Sequence, residues 1–207
     1  MPSASEYYGY LSNPYAKAFL DAIAWAEGGR SYNTMYGGGT FTGNQHPRTP
    51  VTAGGYTSSA AGRYQFLYST WIEIKNRLGL PDFSAVNQDI AALDLIWQRG
   101  ALNYVLNGQF IAALQQLGKG CAWAALPYAG CNQRERGLAE TQNYYQRALQ
   151  VYGAAGANVT PTIQTQNTLA NNYVYDAGDL ATVDVKASDN DTWIWVGLGN
   201  LALIFLG

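Results

Sequence analysis

Apolar residues repeat at helical spacing through the stretch 18–29, which reads AFLDAIAWAEGG. The apolar positions, counted from Phe19, share one face of the predicted helix. Asn13 is a typical N-cap and Pro14 is a typical first-turn residue, so the helix is predicted to begin there. Glu27 lies on the same apolar face, which is an unusual place for a carboxyl group.

Later segments show the same periodicity and typical end signals. Between Gly28 and Gly62 the chain is instead rich in glycine, with short runs of Thr, Tyr, Phe and Val that predict hairpins. The pattern therefore predicts an α+β fold, mainly helical, with a small Gly-rich hairpin region. The further predicted helices are one with Leu67, Trp71, Ile74 and Leu78 that stops at Gly79, one that Ser84 caps and that ends before Gly100, a short one over Phe110–Leu117, and a long final one from Leu138 to Tyr152 that Gly153 ends.

Changes in composition divide the chain into four regions. Residues 1–12 are a Tyr-rich arm, 13–153 a compact domain, 154–190 a polar linker and 191–207 an apolar segment. A helix over Trp193–Leu206 would be about 21 Å long, short of the ~30 Å hydrocarbon core. We therefore expect this segment to insert shallowly into a membrane, to dock into a hydrophobic slot of a partner protein, or to pack on its own domain.

Charge argues against nucleic acid as a partner. The 207 residues carry a net charge of −2, and charged residues make up only 13% of the chain. Residues 1–153 hold 11 Lys plus Arg and 9 Asp plus Glu (+2), whereas residues 154–207 hold one Lys and five Asp (−4). Aromatic residues make up 14%, including 16 Tyr, and such rings can pack against sugars.

Cys121 and Cys131 enclose a short loop, and the sequence leaves open whether they form a disulfide or remain two buried thiols. One His and two Cys are too few for a zinc site, so neither a metal nor another cofactor is expected. The N-terminus has neither a basic start nor an apolar run, so no secretory signal is expected there.

Glu27 is the candidate general acid. A carboxyl group on an apolar helix face would be partly desolvated, which raises its pKa. The alternative is that Glu27 lies past the last buried turn and faces water. The stretch AAGRYQFL at 60–67 favours the first interpretation, because Gly62 permits a sharp turn and Gln65 can both donate to and accept from a polar ligand.

Several separate blocks, in one order, resemble the lytic transglycosylases of lysozyme-like fold, and among them the lambda-type phage endolysins. The resemblance covers roughly residues 18–150 and implies a lysozyme-like catalytic domain. It also implies that Glu27 is the catalytic acid, that Arg63, Tyr64 and Gln65 line a saccharide cleft, that the His46 loop forms one lip, and that Tyr128 to Gln133 form the facing wall. The blocks are AFLDAIAWAEG, GGGTFTGNQHPR, AAGRYQFL, LGLPDFS, QRGAL and WAALPYAGCNQ.

The residues also bear on the mechanism. Retaining glycosidases usually place a second carboxylate about 5 Å from the acid. This chain has no Asp or Glu between Glu27 and Glu73. A one-carboxylate mechanism fits better, and in the resembled family it cleaves peptidoglycan glycan strands and leaves a 1,6-anhydromuramic end.

Two other functions remain open from the sequence. One is a hydrolytic lysozyme that uses water as the acceptor. The other is a structural virion protein that engages the wall without significant cleavage, and the linker and apolar tail suggest it. Arg63 has two interpretations, because it could bind a muramyl carboxylate or pair with an internal acid. The expected location is a phage virion and the host periplasm and cell wall, with possible membrane association through Trp193–Leu206.

Overall fold

The computed structural model describes residues 1–29, 31–131 and 133–153 and three strands between residues 185 and 204. Helices and one small two-stranded sheet make up residues 1–153, so the predicted α+β fold is confirmed. A short 3₁₀ turn lies at Tyr36–Gly38. The elements are α1 Ala4–Tyr10, α2 Pro14–Glu27, β1 Val51–Ala53, β2 Tyr56–Ser58, α3 Tyr68–Leu78, α4 Ala85–Gln98, α5 Leu102–Leu106, α6 Phe110–Gly118 and α7 Leu138–Val151.

Helix α2 begins where the sequence predicts. The Asn13 side chain accepts hydrogen bonds from the backbone N–H groups of Tyr15 (2.9 Å) and Ala16 (3.1 Å), which have no partner within the helix. Gly28 ends the helix with a left-handed conformation (φ 70°). These two caps fix the length of α2, and Glu27 is its last residue.

The core of the domain forms around α2. Phe19 is buried on its apolar face, and its ring meets the edges of Phe110 (5.6 Å between centroids) and Tyr145 (6.3 Å). Helix α7 packs along α2, and α4 and α5 cover other parts of it. Because α2 is covered on several sides, its C-terminal end has a fixed position.

Most of the later helices agree with the periodicity. Helix α3 ends at Leu78, with Gly79 in the left-handed conformation (φ 68°). Ser84 is the N-cap residue of α4, but its side chain makes no capping hydrogen bond and instead accepts one from Asn87 Nδ2 (3.0 Å). Helix α5 was not predicted, because five residues are too short to show a periodic pattern.

The predicted N-terminal arm is instead a docked helix. Ser3 and Glu6 form a capping box at the start of α1, with Glu6 Oε2 accepting from Ser3 N (2.8 Å) and Ser3 Oγ accepting from Glu6 N (3.3 Å). Tyr7 is fully buried, and its hydroxyl donates to Asp94 Oδ1 of α4 (3.1 Å). The Ser3–Glu6 spacing was the sequence signal for α1. The helix itself has only seven residues of mixed polarity, so it shows no clear periodic pattern.

The glycine-rich region contains the predicted hairpin. Strands β1 and β2 are antiparallel, with Val51 opposite Ser58 and Ala53 opposite Tyr56. The two-residue turn is Gly54–Gly55, both with positive φ (59° and 83°), as tight hairpins require.

The described parts of the C-terminal region are strands, not the helix considered from the sequence. They are β3 Val185–Ser188, β4 Asp191–Val196 and β5 Ala202–Ile204, which form an antiparallel sheet in that order. Of the predicted linker 154–190, residues 154–184, 189 and 190 lie outside the described residues. Among the residues that the structure describes, no helix has the length and apolarity needed to cross a bilayer.

Replacement of Tyr7 by Phe tests the docking of α1. We expect it to lower the free energy of unfolding by about 1–2 kcal/mol, because Asp94 Oδ1 is buried and loses its donor. Urea denaturation measures this change. Tyr8→Phe is the matched control, since Tyr8 is 63% exposed and should change little. Equal effects of the two substitutions would contradict a docked α1.

Candidate active site

Glu27 lies at the C-terminal end of α2 and is half-buried. Its Oε1 accepts a hydrogen bond from the backbone N–H of Ala125 (3.0 Å). Burial raises the pKa of the carboxyl group above its usual value, while the Ala125 N–H and the positive charge of Arg136 act in the opposite direction. The carboxyl group therefore does not face bulk water, and its protonated form is favoured.

The end of α2 lies in very close contact with the turn that follows Gly62. A Cβ atom at Gly29 would be 1.8 Å from the carbonyl oxygen of Arg63, so only glycine fits there. At Gly62, where φ is 80°, a Cβ atom would be 2.2 Å from Gln88 Oε1. The two glycines allow the backbone of the turn to approach the helix that carries Glu27.

Gln88 of α4 forms hydrogen bonds to this turn from the protein interior. Its side chain is fully buried, its Oε1 accepts from Arg63 N (2.9 Å), and its Nε2 donates to the carbonyl oxygens of Phe83 and Tyr32 (2.9 Å each). Three segments of chain are thus fixed by one amide. The sequence analysis did not identify Gln88, because its position within an ordinary helix has no distinctive signal.

Gln65 lies on this turn and is half-buried. Its backbone is in the left-handed region (φ 49°), and its Nε2 donates to Gly62 O (2.8 Å). The hydrogen bond within the turn therefore fixes the orientation of the Gln65 amide. The turn itself packs against the end of α2. Contact of Gln65 with substrate stays a prediction.

Arg63 and Tyr64, which the resemblance implied as cleft-lining residues, lie inside the protein, and their contact with substrate stays a prediction. Both side chains are buried (7% and 1% exposed). Arg63 forms an ion pair with Asp21, which is the second of its two interpretations, and the Tyr64 hydroxyl donates to Asp89 Oδ1 (2.6 Å). A buried guanidinium needs a fixed acidic partner, so this pair stabilises the turn from the inside.

The His46 side chain is also buried, and its contact with substrate stays a prediction. One ring nitrogen, Nε2, is 2.8 Å from Phe66 O, and the other, Nδ1, accepts from Arg48 N (3.2 Å). Burial lowers the pKa of the imidazole, which favours the neutral form that these two contacts require. His46 therefore braces the loop.

Residues 121–131 and 133–136 form a wall beside Glu27. Tyr128 is 43% exposed and has a positive φ of 69°, and Gln133 is exposed. The Glu135 carboxylate accepts from the backbone N–H groups of Tyr128 (3.0 Å) and Gly130 (2.6 Å), which holds the loop in shape. The exposure of Tyr128 and Gln133 is compatible with their predicted role in substrate binding.

Two further links hold this wall in place. Cys121 and Cys131 form a disulfide, with Cα atoms 5.8 Å apart, so the structure decides a question that the sequence left open. The Trp123 ring N–H donates to Tyr64 O (3.1 Å), which joins the wall to the turn that carries Gln65. Ala125 lies inside the disulfide loop, between these two anchors, so its N–H is directed at Glu27.

The sequence analysis missed Ala125 and Arg136 as neighbours of Glu27. Ala125 acts through its backbone N–H, which no side-chain pattern reveals. Arg136 follows the block that ends at Gln133, and its position in the sequence gives no distinctive signal. Ala125 and Arg136 come close to Glu27 only because the chain returns past the end of α2.

A separate polar cavity of about 200 Å³ is lined in part by residues of α2, and its lining includes neither Glu27 nor Gln65. Two tyrosine hydroxyls, those of Tyr32 and Tyr64, donate to the Asp89 carboxylate within it. Burial raises the pKa of Asp89 to about 6 although both hydrogen bonds act to lower it. The cavity is lined by Leu11, Lys17, Leu20, Asp21, Tyr32, Tyr64, Asp89 and Tyr152. Within the described residues, no group of His, Cys, Asp and Glu is arranged to hold a metal ion.

A family model described as Endolysin matches residues 17–152 of this chain. The chain belongs to the endolysin family. It is 41% identical to the endolysin of Escherichia phage lambda, with 59% of this chain and 84% of the relative covered, and 36% identical to the endolysin of Escherichia phage P2, with 58% and 84% covered. This endolysin is therefore a cell-wall-degrading enzyme of phage type.

Solved structures also match this endolysin. The phage lambda lysozyme complexed with a chitohexasaccharide aligns with a TM-score of 0.62 and 37% identity, covering 66% of this chain and 94% of that one. A second structure, of lysozyme from bacteriophage lambda, gives a TM-score of 0.55 and 34% identity, covering 70% and 95%. The lysozyme-like fold that the resemblance implied is confirmed, and α1 lies before the residues that the family model matches.

Asp89→Asn tests the buried carboxylate of the polar cavity. Because its pKa is raised from 3.8 to about 6 in the folded protein, its stabilising contribution is complete below about pH 4 and is lost as the pH rises through 6. Asn keeps an acceptor for both tyrosines but cannot ionise. We therefore expect the free energy of unfolding of the wild type, relative to the variant, to fall between pH 4 and pH 7.

Urea denaturation at several pH values measures this difference. Asp82→Asn is the control, because hydrogen bonds from Ser84 lower the pKa of Asp82 and its contribution should grow as the pH rises. A difference for Asp89→Asn that stays constant with pH would show that Asp89 does not titrate as the structure indicates.

Proposed function

We propose that this endolysin is a peptidoglycan lytic transglycosylase that cleaves the β-1,4 bond between MurNAc and GlcNAc and leaves a 1,6-anhydromuramic end. The observation that carries the proposal is the partly desolvated carboxyl group of Glu27, held by the Ala125 N–H. No metal or other cofactor has a part in it. The hexasaccharide complex of the lambda lysozyme supports a glycan as the substrate, since that protein shares this fold at 37% identity.

The environment of Glu27 suits both halves of such a reaction. In the first half the protonated carboxyl, favoured by burial, gives its proton to the glycosidic oxygen as the bond from this oxygen to C1 of MurNAc breaks. In the second half the resulting carboxylate takes the proton of the MurNAc C6 hydroxyl while that oxygen bonds to C1. The Ala125 N–H and Arg136 favour the carboxylate form between the two steps. The proton returns to Glu27, and no water is consumed.

The lack of a second carboxylate in the hairpin region favours this route over hydrolysis. A retaining hydrolase would need a nucleophilic or stabilising carboxylate about 5 Å from the acid. The chain has none from Gly28 to Ile72, which includes the whole hairpin region. Glu135 is the acidic residue of the wall, and its two oxygens already accept backbone N–H groups. The substrate's own hydroxyl group is therefore the better nucleophile.

The place of action is a finer proposal. Action in a virion at entry, with contact to a membrane or to a virion protein through Trp193–Leu206, rests on the apolar composition of that segment. This association remains a prediction, and detection of the chain in purified particles would support it. An enzyme released late in infection is the alternative.

Product analysis tests the reaction. Purified peptidoglycan digested in ¹⁸O-labelled water should yield muropeptides that end in 1,6-anhydroMurNAc and carry no label, because the C6 hydroxyl and not water attacks C1. Mass spectrometry distinguishes these products from reducing ends, which are heavier by one water. Labelled reducing ends as the main product would identify a hydrolytic lysozyme instead.

Glu27→Gln gives the matched test of the acid. We expect at least a ~100-fold loss of kcat, the usual contribution of general acid catalysis, with normal folding because Gln still accepts from the Ala125 N–H. Glu73→Gln serves as the control, since the Glu73 side chain is 68% exposed and pairs only with Arg77 among the described residues. Undiminished turnover in Glu27→Gln would remove Glu27 from the mechanism.

A further inference from the structure

Arg136 holds a positive charge at the end of α2, next to the catalytic acid. Its Nε donates to the carbonyl oxygen of Ala26 (3.4 Å), and its guanidinium carbon lies 4.8 Å from the centre of the Trp25 ring. Ala26 and Trp25 are the two residues that precede Glu27 in the chain. A cation at the C-terminal end of a helix also faces its partial negative charge. The guanidinium is therefore attached to the same helical turn as Glu27.

The backbone of Arg136 makes a second connection to the acid. Its N–H donates to Ala125 O (2.8 Å), and the N–H of Ala125 donates to Glu27 Oε1 (3.0 Å). Ala125 thus contacts Arg136 through its backbone carbonyl oxygen and Glu27 through its backbone N–H. Side chain and backbone together close a ring of contacts from Arg136 to Ala26 and through Ala125 to Glu27. A displacement of Arg136 would move the N–H donor of the acid.

The Trp25 ring restrains the position of the Arg136 guanidinium relative to α2. Trp25 is half-buried and stacks on Tyr144 of α7, with centroids 5.2 Å apart and planes 18° from parallel. Arg136 lies against Trp25 as a cation–π pair. These contacts therefore restrain the position of the guanidinium, unlike that of a surface arginine without contacts.

We propose that Arg136 is a positioning residue of the active site, whose charge favours the carboxylate that Glu27 becomes after donating its proton and whose anchors keep the Ala125 N–H on that carboxylate. The inference rests on the proposed function, in which Glu27 must remain ionised until it takes the proton of the C6 hydroxyl. Without the cation, only the Ala125 N–H opposes the effect of burial, and the less stable carboxylate more readily takes its proton back from the leaving sugar, which reverses the first step.

The groups that act on the Glu27 carboxyl are few. Within the described residues they are the Ala125 N–H and the charge of Arg136, both opposing the effect of burial. Glu135, on the same wall, is held by the backbone N–H groups of Tyr128 and Gly130. Arg134 is exposed, two positions away on the same segment, and is not among the groups that shift the pKa of Glu27. Arg134 is therefore the natural control for a change of net charge.

The test measures the proton affinity of Glu27 directly. NMR of the full chain with ¹³C-labelled glutamate side chains follows the carboxyl titration, and the spectrum of Glu27→Gln assigns the Glu27 signal. In Arg136→Gln we expect an upward shift of roughly 0.2 to 0.7 pH unit, the range for a partly screened ion pair. The alkaline limb of the pH profile of kcat/KM should move by the same amount, because Glu27 must start protonated.

Two other variants separate charge from structure. Arg136→Lys keeps the charge, so its titration should stay near that of the wild type even where its stability falls. Arg134→Gln removes one charge from the same segment and should leave the Glu27 titration unchanged. Circular dichroism and thermal unfolding report the folding of each variant. The Lys variant still tests the charge if Arg136→Gln fails to fold, since an upward shift in it would then count against the proposal.

Other outcomes would overturn the inference. If Arg136→Gln leaves the Glu27 titration unchanged and only lowers Tm, the residue is structural. If only KM for peptidoglycan rises, Arg136 contacts an anionic group of the substrate instead. The proposed function fails separately, because reducing ends in the product assay would refute it while the titration shift would still show the effect of Arg136 on Glu27.

Discussion

The hydrogen bond from the Ala125 N–H to Glu27 Oε1 is the contact on which the active site depends. A carboxyl group at the end of an apolar helix face loses hydration, and burial alone would favour the protonated form. A proton donor that must also act as a base needs a donor group that makes its ionised form accessible. A backbone N–H meets this need without adding a titratable group, but only if another segment of chain is held firmly against the helix.

Several contacts meet that requirement from different directions. Gly29 and Gly62 allow the turn that carries Gln65 to approach the end of α2, and Gln88 holds the turn from beneath. The Trp123 ring joins the wall to that turn, and the Cys121–Cys131 disulfide closes the loop. Each contact is modest alone, yet together they place one N–H group against one oxygen. Preorganisation of this kind avoids rearrangement during the reaction.

The residues around the site divide between chemistry and support. Arg63, Tyr64 and His46, which the resemblance suggested as substrate contacts, are buried and stabilise the turn and the loop from within. Glu27 is half-buried, and Tyr128 and Gln133 of the wall are exposed. Residues in the sequence blocks that carry the resemblance can therefore be important because they maintain the shape of the proposed cleft.

The sequence alone determined the limits of α2, the hairpin region, the position of Glu27 on an apolar face and the lack of a nearby second carboxylate. These features depend on local rules, since caps, periodicity and spacing are set by neighbouring residues. Tertiary structure decided which oxygen of Glu27 meets Ala125, that Arg136 returns to α2, that the cysteines are joined and that α1 docks through Tyr7. These contacts join residues far apart in the chain, 98 positions for Glu27 and Ala125 and 110 positions for Ala26 and Arg136. Their physical basis is the packing of distant segments, which a single sequence does not record.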